Sequence, residues 1–197
     1  MAIFFTADLH LHHKNIIRYA HRNPTFANID EMDSGLITYW NSVVTRHDTV
    51  YHLGDFCFAR KDNISDAMRI YSDSMRMVRG RTVFLRGNHD NGLQHADYFI
   101  CRRIDGIKVF MRHWPPWEYP RRFPHSFNIA FDVDLILCGH VHDKWKYHVH
   151  SVGQRRIPVI NVGTDVWGYK PIKLSTIMEE VARLEPLKMN IQGIQRR

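Results

Sequence analysis

Residues 82–90 read Thr82-Val83-Phe84-Leu85-Arg86-Gly87-Asn88-His89-Asp90. The first four are β-branched or apolar and have the character of a buried strand. They empty at once into a turn built almost wholly of side chains that bind metals or move protons. A loop kept only for solubility has no need of Gly-Asn-His-Asp. The stretch therefore predicts a strand that delivers chemistry, and the rest of the chain is read for its partners.

The same event recurs along the chain. Ile3-Phe4-Phe5-Thr6 runs into Ala7-Asp8-Leu9-His10, and Thr49–Leu53 runs into Gly54-Asp55. Lys108–Met111 leads to Arg112-His113, and Val133–Cys138 to Gly139-His140-Val141-His142. A sixth strand, Ile157–Ile160, is followed by Asn161-Val162-Gly163. Read as extended chain, Asp8 and His10 point to one side. Helical signals fall mainly between the early strands. A short helix fits Lys14 to about His21, closed by Asn23-Pro24. A longer one fits Ile29–Val44, with Asn28 and Glu31 as caps and Met32, Leu36 and Trp40 on one face. Asn63–Met77 places Ile64, Met68 and Tyr71 together, and Thr176–Leu184 has a capping pair in Thr176 and Glu179 and a stop in Pro186. This pattern predicts an α/β protein, whose sites form beyond the carboxyl ends of strands.

A chain of 197 residues fits one domain, 1–197, and 44% apolar with 24% charged is ordinary for a globular protein. The apolar opening is too short for a signal peptide, and no run is long enough to span a bilayer. The expectation is a cytoplasmic protein with no membrane partner. Cys57, Cys101 and Cys138 are odd in number and lack zinc-type spacing, so they read as reduced thiols. A charge of +7 and a pI near 9.5 favour an anionic partner. The basic residues come as scattered pairs, such as Arg102-Arg103, Arg121-Arg122, Arg155-Arg156 and Arg196-Arg197. That leaves nucleic acid and a merely solvated basic surface both open. The oligomeric state is not legible.

Asp8, His10, Asp55, Asn88, His113, His140 and His142 form the candidate metal set. Carboxylate, imidazole and amide together suit divalent transition metals: manganese first, with iron, zinc, nickel or cobalt as alternatives. The set is too large for one tetrahedral zinc and suits two ions. Asp55, alone after its strand, is the natural bridge. Two ions about 3.5–4 Å apart hold a hydroxide between them and clamp a phosphate for in-line attack. His89 is then free to protonate the leaving oxygen, with Asp90 fixing its ring. Gly87 and Gly139 read as sharp turns beside the ions. Gly54-Asp55 or His113 would be ordinary alone; the whole ordered set is not.

In that order the blocks Asp8-Leu9-His10, Gly54-Asp55, Gly87-Asn88-His89-Asp90, His113 and Gly139-His140-Val141-His142 resemble the calcineurin-like metallophosphoesterase superfamily. Within it the chain is most similar to a group of small bacterial and phage phosphoesterases. Asp8-Leu9-His10-Leu11-His12-His13-Lys14-Asn15-Ile16-Ile17 and Asn161-Val162-Gly163-Thr164-Asp165 carry that likeness. The resemblance implies a four-layer αββα sandwich, two mixed β-sheets packed face to face with helices outside. It also implies that Asp8, His10 and His142 hold one ion and Asn88, His113 and His140 the other, with Asp55 bridging and His89 over the phosphate. Ala59 stands where protein phosphatases of the superfamily carry an arginine, and Asp90 stands where a glutamate is usual. Both differences count against a phosphoprotein substrate.

The expected enzyme is a dinuclear metal-dependent phosphodiesterase on a nucleotide or nucleic-acid type substrate. The alternatives are a phosphomonoesterase on a small molecule, or a catalytically silent binding protein with this fold. The loop Trp114-Pro115-Pro116-Trp117-Glu118-Tyr119-Pro120-Arg121-Arg122-Phe123 reads either as a base-stacking, phosphate-holding surface or as a proline-stiffened lid. His12, His13 and Lys144-Trp145-Lys146 are open in the same way.

Overall fold

The computed structural model describes residues 1–59, 64–90, 93, 95–118 and 132–183. Arg60, Tyr119-Pro120-Arg121-Arg122-Phe123, Leu184, Pro186 and Arg196-Arg197 lie outside the described residues. Within them the chain forms β1 (Ile3–Thr6), α1 (Ile16–Tyr19), α2 (Ile29–Val43), β2 (Thr49–His52), α3 (Ile64–Met77) and β3 (Arg81–Phe84). The second half adds β4 (Phe99–Ile104), β5 (Ile107–Arg112), β6 (Leu135–Cys138), β7 (Tyr147–Val152) and β8 (Arg155–Asn161). A 3₁₀ turn at Thr164–Val166, β9 (Ile172–Lys173) and α4 (174–183) follow.

Two mixed sheets result, as expected. One has the order β3-β2-β1-β9 and the other β4-β5-β6-β8-β7. In the first, β1, β2 and β3 run parallel, with Phe4 opposite Val50 and Val50 opposite Thr82. In the second, β5, β6 and β8 run parallel, while β4 and β7 close the edges antiparallel. Parallel strands release their chains at the same end, which gathers the polar turns of each sheet.

Alternation divides the apolar residues into layers. Phe5, Tyr51, Leu53, Val109, Met111, Leu135, Leu137 and Ile160 meet between the sheets, where Phe5 and Tyr51 stack at 5.7 Å. Phe4, Val50 and Phe84 face the other way, onto Met32, Leu36 and Trp40 of α2 and Tyr71 of α3. The α2 start is as read: Asn28 accepts from the Glu31 N–H, and Glu31 in turn accepts from the Ala27 N–H at 2.7 Å.

Two readings of helices are corrected. The buried face of α3 is Ala67, Tyr71 and Ser74, while Ile64 and Met68 are 50% and 56% exposed. Hydrogen bonds choose that face: the Tyr71 hydroxyl donates to the Cys57 carbonyl at 2.9 Å, and Ser74 Oγ meets His12 Nε2 at 3.1 Å. The last helix begins at 174, so Thr176 lies inside it rather than capping it. Its Leu174, Ile177 and Val181 join the cluster between the sheets. No described helix is long and apolar enough to cross a membrane.

Candidate metal centre

The turns after β1 and β2 continue to pair beyond the strands. The Asp8 N–H donates to the Gly54 carbonyl and the His10 N–H to the Asp55 carbonyl, each at 3.0 Å. Gly139 N–H donates to the His113 carbonyl at 2.8 Å, and Thr164 N–H to the Ala7 carbonyl at 3.0 Å, which stitches the two sheets together at the site. Ligand atoms of Asp8, His10 and His142 consequently lie within 4.8 Å of one another, as do those of Asp8, Asp55 and His113. Asp55 Oδ2 stands 3.4 Å from His10 Nε2 and 3.3 Å from His113 Nε2. Asn88 Oδ1 is 3.0 Å from His113 Nε2. His140 sits at the margin. Its ring lies 5.1 Å from that of His113, its N–H donates to Asp8 Oδ2 at 2.9 Å, and its Nε2 is 3.3 Å from Glu118 Oε2.

Backbone geometry corrects how Asp8 and His10 converge. They are not alternate residues of a strand, since β1 ends at Thr6. Both are left-handed, at φ +59° and +53°, and so are Asp55 at +57°, His140 at +72° and His142 at +49°. Left-handed backbone costs an L-residue about 1–2 kcal/mol, and such residues gather at functional sites. The glycine reading changes too. Gly87 and Gly139 do not have positive φ; they permit close approach instead. A Cβ on Gly139 would stand 2.6 Å from Asp8 Oδ2, and one on Gly87 would strike the Asp55 carboxylate.

A layer of support lies behind the candidate ligands. His113 Nδ1 donates to the Leu53 carbonyl at 2.8 Å, which leaves Nε2 for the site. His142 Nδ1 is 2.9 Å from Asp165 Oδ2. The fully buried Arg22 donates to both oxygens of Asp165 at 2.6 and 3.1 Å, to the Leu9 carbonyl at 2.9 Å and to the Asp8 carbonyl at 2.6 Å. Asn161 Nδ2 donates to the His142 carbonyl at 2.7 Å. Sequence reasoning passed over Arg22 and gave Asp165 no role; an arginine just before Asn23-Pro24 carries no local signal.

Asp90 is also placed differently from expectation. Its carboxylate accepts from the N–H groups of Asp55 (2.6 Å), Phe56 (3.0 Å) and Gly87 (2.7 Å), and from the Tyr71 hydroxyl. It braces the turn that carries Asp55 and does not stand behind the His89 ring. The His89 N–H donates to Asp55 Oδ1 at 2.8 Å, and its ring lies 5.2 Å from His10 and 5.6 Å from His13. His13 stacks on Phe58 at 4.3 Å beside them. His12 turns away, tied to Asp33 at 3.1 Å and to Ser74.

Burial raises the Asp8 pKa to about 6, against the pull of His142 and His113. Burial works against charge on His113 as well, but the adjacent Asp55 carboxylate holds its pKa up at about 9. Asp55 is held well below the carboxylate range, because His113 and His10 outweigh its own burial. Burial drives His10 well below the ordinary imidazole value and His140 to about 4. Within the site, His10 Nε2 is buried with no hydrogen-bond partner among the described residues, facing Asp55 Oδ2. A divalent cation fits this donor set. It would give His10 Nε2 a partner, and its charge would offset the burial that raises the Asp8 pKa.

Residues 1–176 match the profile of the calcineurin-like phosphoesterase superfamily domain. The chain belongs to that superfamily. A calcineurin-like phosphoesterase is a phosphoester hydrolase, and the family is metal-dependent. This phosphoesterase is 32% identical to an uncharacterised protein of Methanocaldococcus jannaschii over 181 residues, covering 92% of each chain. It is 33% identical to the gene 66 protein of Mycobacterium phage L5, covering 84% of this chain and 87% of the phage protein. The solved protein of unknown function AQ665 from Aquifex aeolicus shares the fold. It superposes with a TM-score of 0.61 at 24% identity, over 90% of this chain and 98% of that one.

Proposed function

We propose that the phosphoesterase is a dinuclear phosphodiesterase acting on nucleotide or nucleic-acid type substrates, with manganese as its metal. One observation carries the dinuclear reading. Asp55 Oδ2 lies between His10 Nε2 at 3.4 Å and His113 Nε2 at 3.3 Å, one carboxylate oxygen shared by two histidines from different sheets. Asp8, His10 and His142 would hold one ion, and Asn88, His113 and His140 the other, with Asp55 common to both. When bound, the ions supply Lewis acidity toward the phosphate and lower the pKa of water.

The chain's own groups do the rest. His89 is the acid for the leaving oxygen: its backbone is fixed by Asp55 Oδ1 and its ring stands among His10, His13 and Phe58. His13, at a pKa lowered to about 4 first by burial and then by His89, is a neutral hydrogen-bonding group at neutral pH. Ala59 stands where protein phosphatases have an arginine, which counts against a phosphoprotein substrate, and one observation favours a diester over a monoester. The Glu118 carboxylate, beside His140, opposes a dianionic monoester more than a monoanionic diester.

The test is metal analysis joined to a panel of mono- and diesters, cyclic nucleotides and oligonucleotides with several metals, beside Asp55→Asn. Diester turnover that disappears in Asp55→Asn supports the reading. Turnover confined to monoesters replaces it with a phosphomonoesterase. Stoichiometric metal without any turnover replaces it with a silent binding protein.

A further inference from the structure

A second group of rings follows the proposed ligands in the chain, Trp117 four residues beyond His113 and Trp145 three beyond His142. Trp117 lies 5.6 Å from Trp145, 4.5 Å from His148 and 6.4 Å from His150, and Trp145 is 5.9 Å from His148. Alternation along β7 produces this surface. Tyr147 and Val149 point into the cluster between the sheets, so His148 and His150 share the opposite face. Trp117 covers them at tilts of 51° and 39° and remains 39% exposed. The next residue, Glu118, reaches His140 Nε2 at 3.3 Å.

Cations lie in the same stretch of chain. Lys144 is exposed between His142 and Trp145. On the same hairpin the exposed Arg155 and Arg156 stand opposite Val152 and Ser151.

We propose that Trp117, Trp145 and His148 form a stacking subsite for an unpaired nucleobase flanking the scissile phosphodiester, which makes single-stranded nucleic acid the substrate class. The inference rests on the phosphodiesterase reading above. Every base has a π face, so a platform of indole and imidazole holds bases without reading sequence, while nearby cations follow the backbone. In a duplex those faces are covered by neighbouring base pairs, and rings on the face of a strand cannot reach them. A base held there sits beside the His140 and Glu118 end of the site, where a phosphate of the same strand can enter.

The experiment uses the full chain in chelator, so that nothing is cleaved, and follows tryptophan emission. The probes are a single-stranded DNA hexamer, the same hexamer without bases, and the matching duplex. The base-bearing single strand quenches emission and binds about tenfold more tightly than the abasic strand, the weight of a stacked base. Trp117→Leu and, separately, His148→Ala remove that preference. Hydrolysis of methyl nitrophenyl phosphate, a diester without a base, is measured beside them with metal. It is unchanged in Trp117→Leu and lost in Asp55→Asn. Equal binding of the abasic strand, or preference for the duplex, overturns the stacking subsite while Asp55-dependent hydrolysis of the small diester keeps the phosphodiesterase reading. Absence of that hydrolysis overturns the phosphodiesterase reading itself.

Discussion

Arg22 shows why single residues behind a site can matter as much as those inside it. Its guanidinium spans Asp8, Leu9 and Asp165, and so holds the turn after β1 and the partner of His142 at once. A lysine has one point charge and cannot span that fork. Arg22→Lys is expected to weaken metal affinity by about 10–100-fold, with Asp165→Asn acting in the same direction through His142. Titration calorimetry reads both, and circular dichroism checks that the fold persists. His52 gives a pH prediction. It is wholly buried, packed near Trp40, Phe56 and Phe84, and neither ring nitrogen has a hydrogen-bond partner among the described residues. Burial lowers its pKa to about 3. The unfolded chain therefore takes a proton below pH about 6.5 that the folded chain refuses, and stability falls by about 1.4 kcal/mol per pH unit from there toward pH 3. His52→Phe is expected to raise the unfolding free energy at pH 5 by about 2 kcal/mol relative to its effect at pH 8. Denaturant melts at the two values check it. At this scale the candidate ligands were legible because each follows an apolar run. Arg22 was not, because its partners are 14 and 143 residues away in sequence. Asp90 misled for the opposite reason: being next to His89 in the chain suggested a partnership, whereas its oxygens point to Asp55, Phe56 and Gly87.

Among the elements, the central strands β1, β2, β5, β6 and β8 announced themselves through apolar runs, and β4, β7 and β9 did not. Each of those three lies at a sheet edge; so does β3, whose apolar run was legible but whose Thr82, Val83 and Phe84 are only partly buried, not the buried strand their sequence suggested. β4 carries Arg102 and Arg103, β7 alternates histidine with Tyr147 and Val149, and β9 is only two residues long. Half-exposed edges need charge rather than a greasy run, so their pattern is diluted. The turns are the least forgiving elements. Gly139→Ala would set a Cβ 2.5 Å from that of Ala7 and 2.6 Å from Asp8 Oδ2. It is expected to lower the thermal midpoint and abolish metal binding together. By contrast Met68→Gln, on the exposed face of α3, is expected to change stability by no more than about 0.5 kcal/mol. The pair of melts separates a turn that carries the site from a helix face that does not.

For the molecule as a whole, metal and fold are linked quantities. Ligand at about 100 times its dissociation constant adds about 2.7 kcal/mol. For a chain of 197 residues that corresponds to a rise of about 5–10 °C in the thermal midpoint. Chelator is expected to remove that increment from the native protein and to leave Asp55→Asn unmoved, as scanning calorimetry would show. The two-sheet architecture was legible from strands that end in polar turns. How the sheets join was not, because Thr164 meeting Ala7 is a contact between residues 157 positions apart. The left-handed backbone at Asp8, His10, Asp55, His140 and His142 has one more consequence. Stripped of ions, the protein is held beneath its own attainable stability by the residues that give it use. Selection for heat resistance alone would drift toward glycine or asparagine there, and the hardiest descendants would be the inert ones.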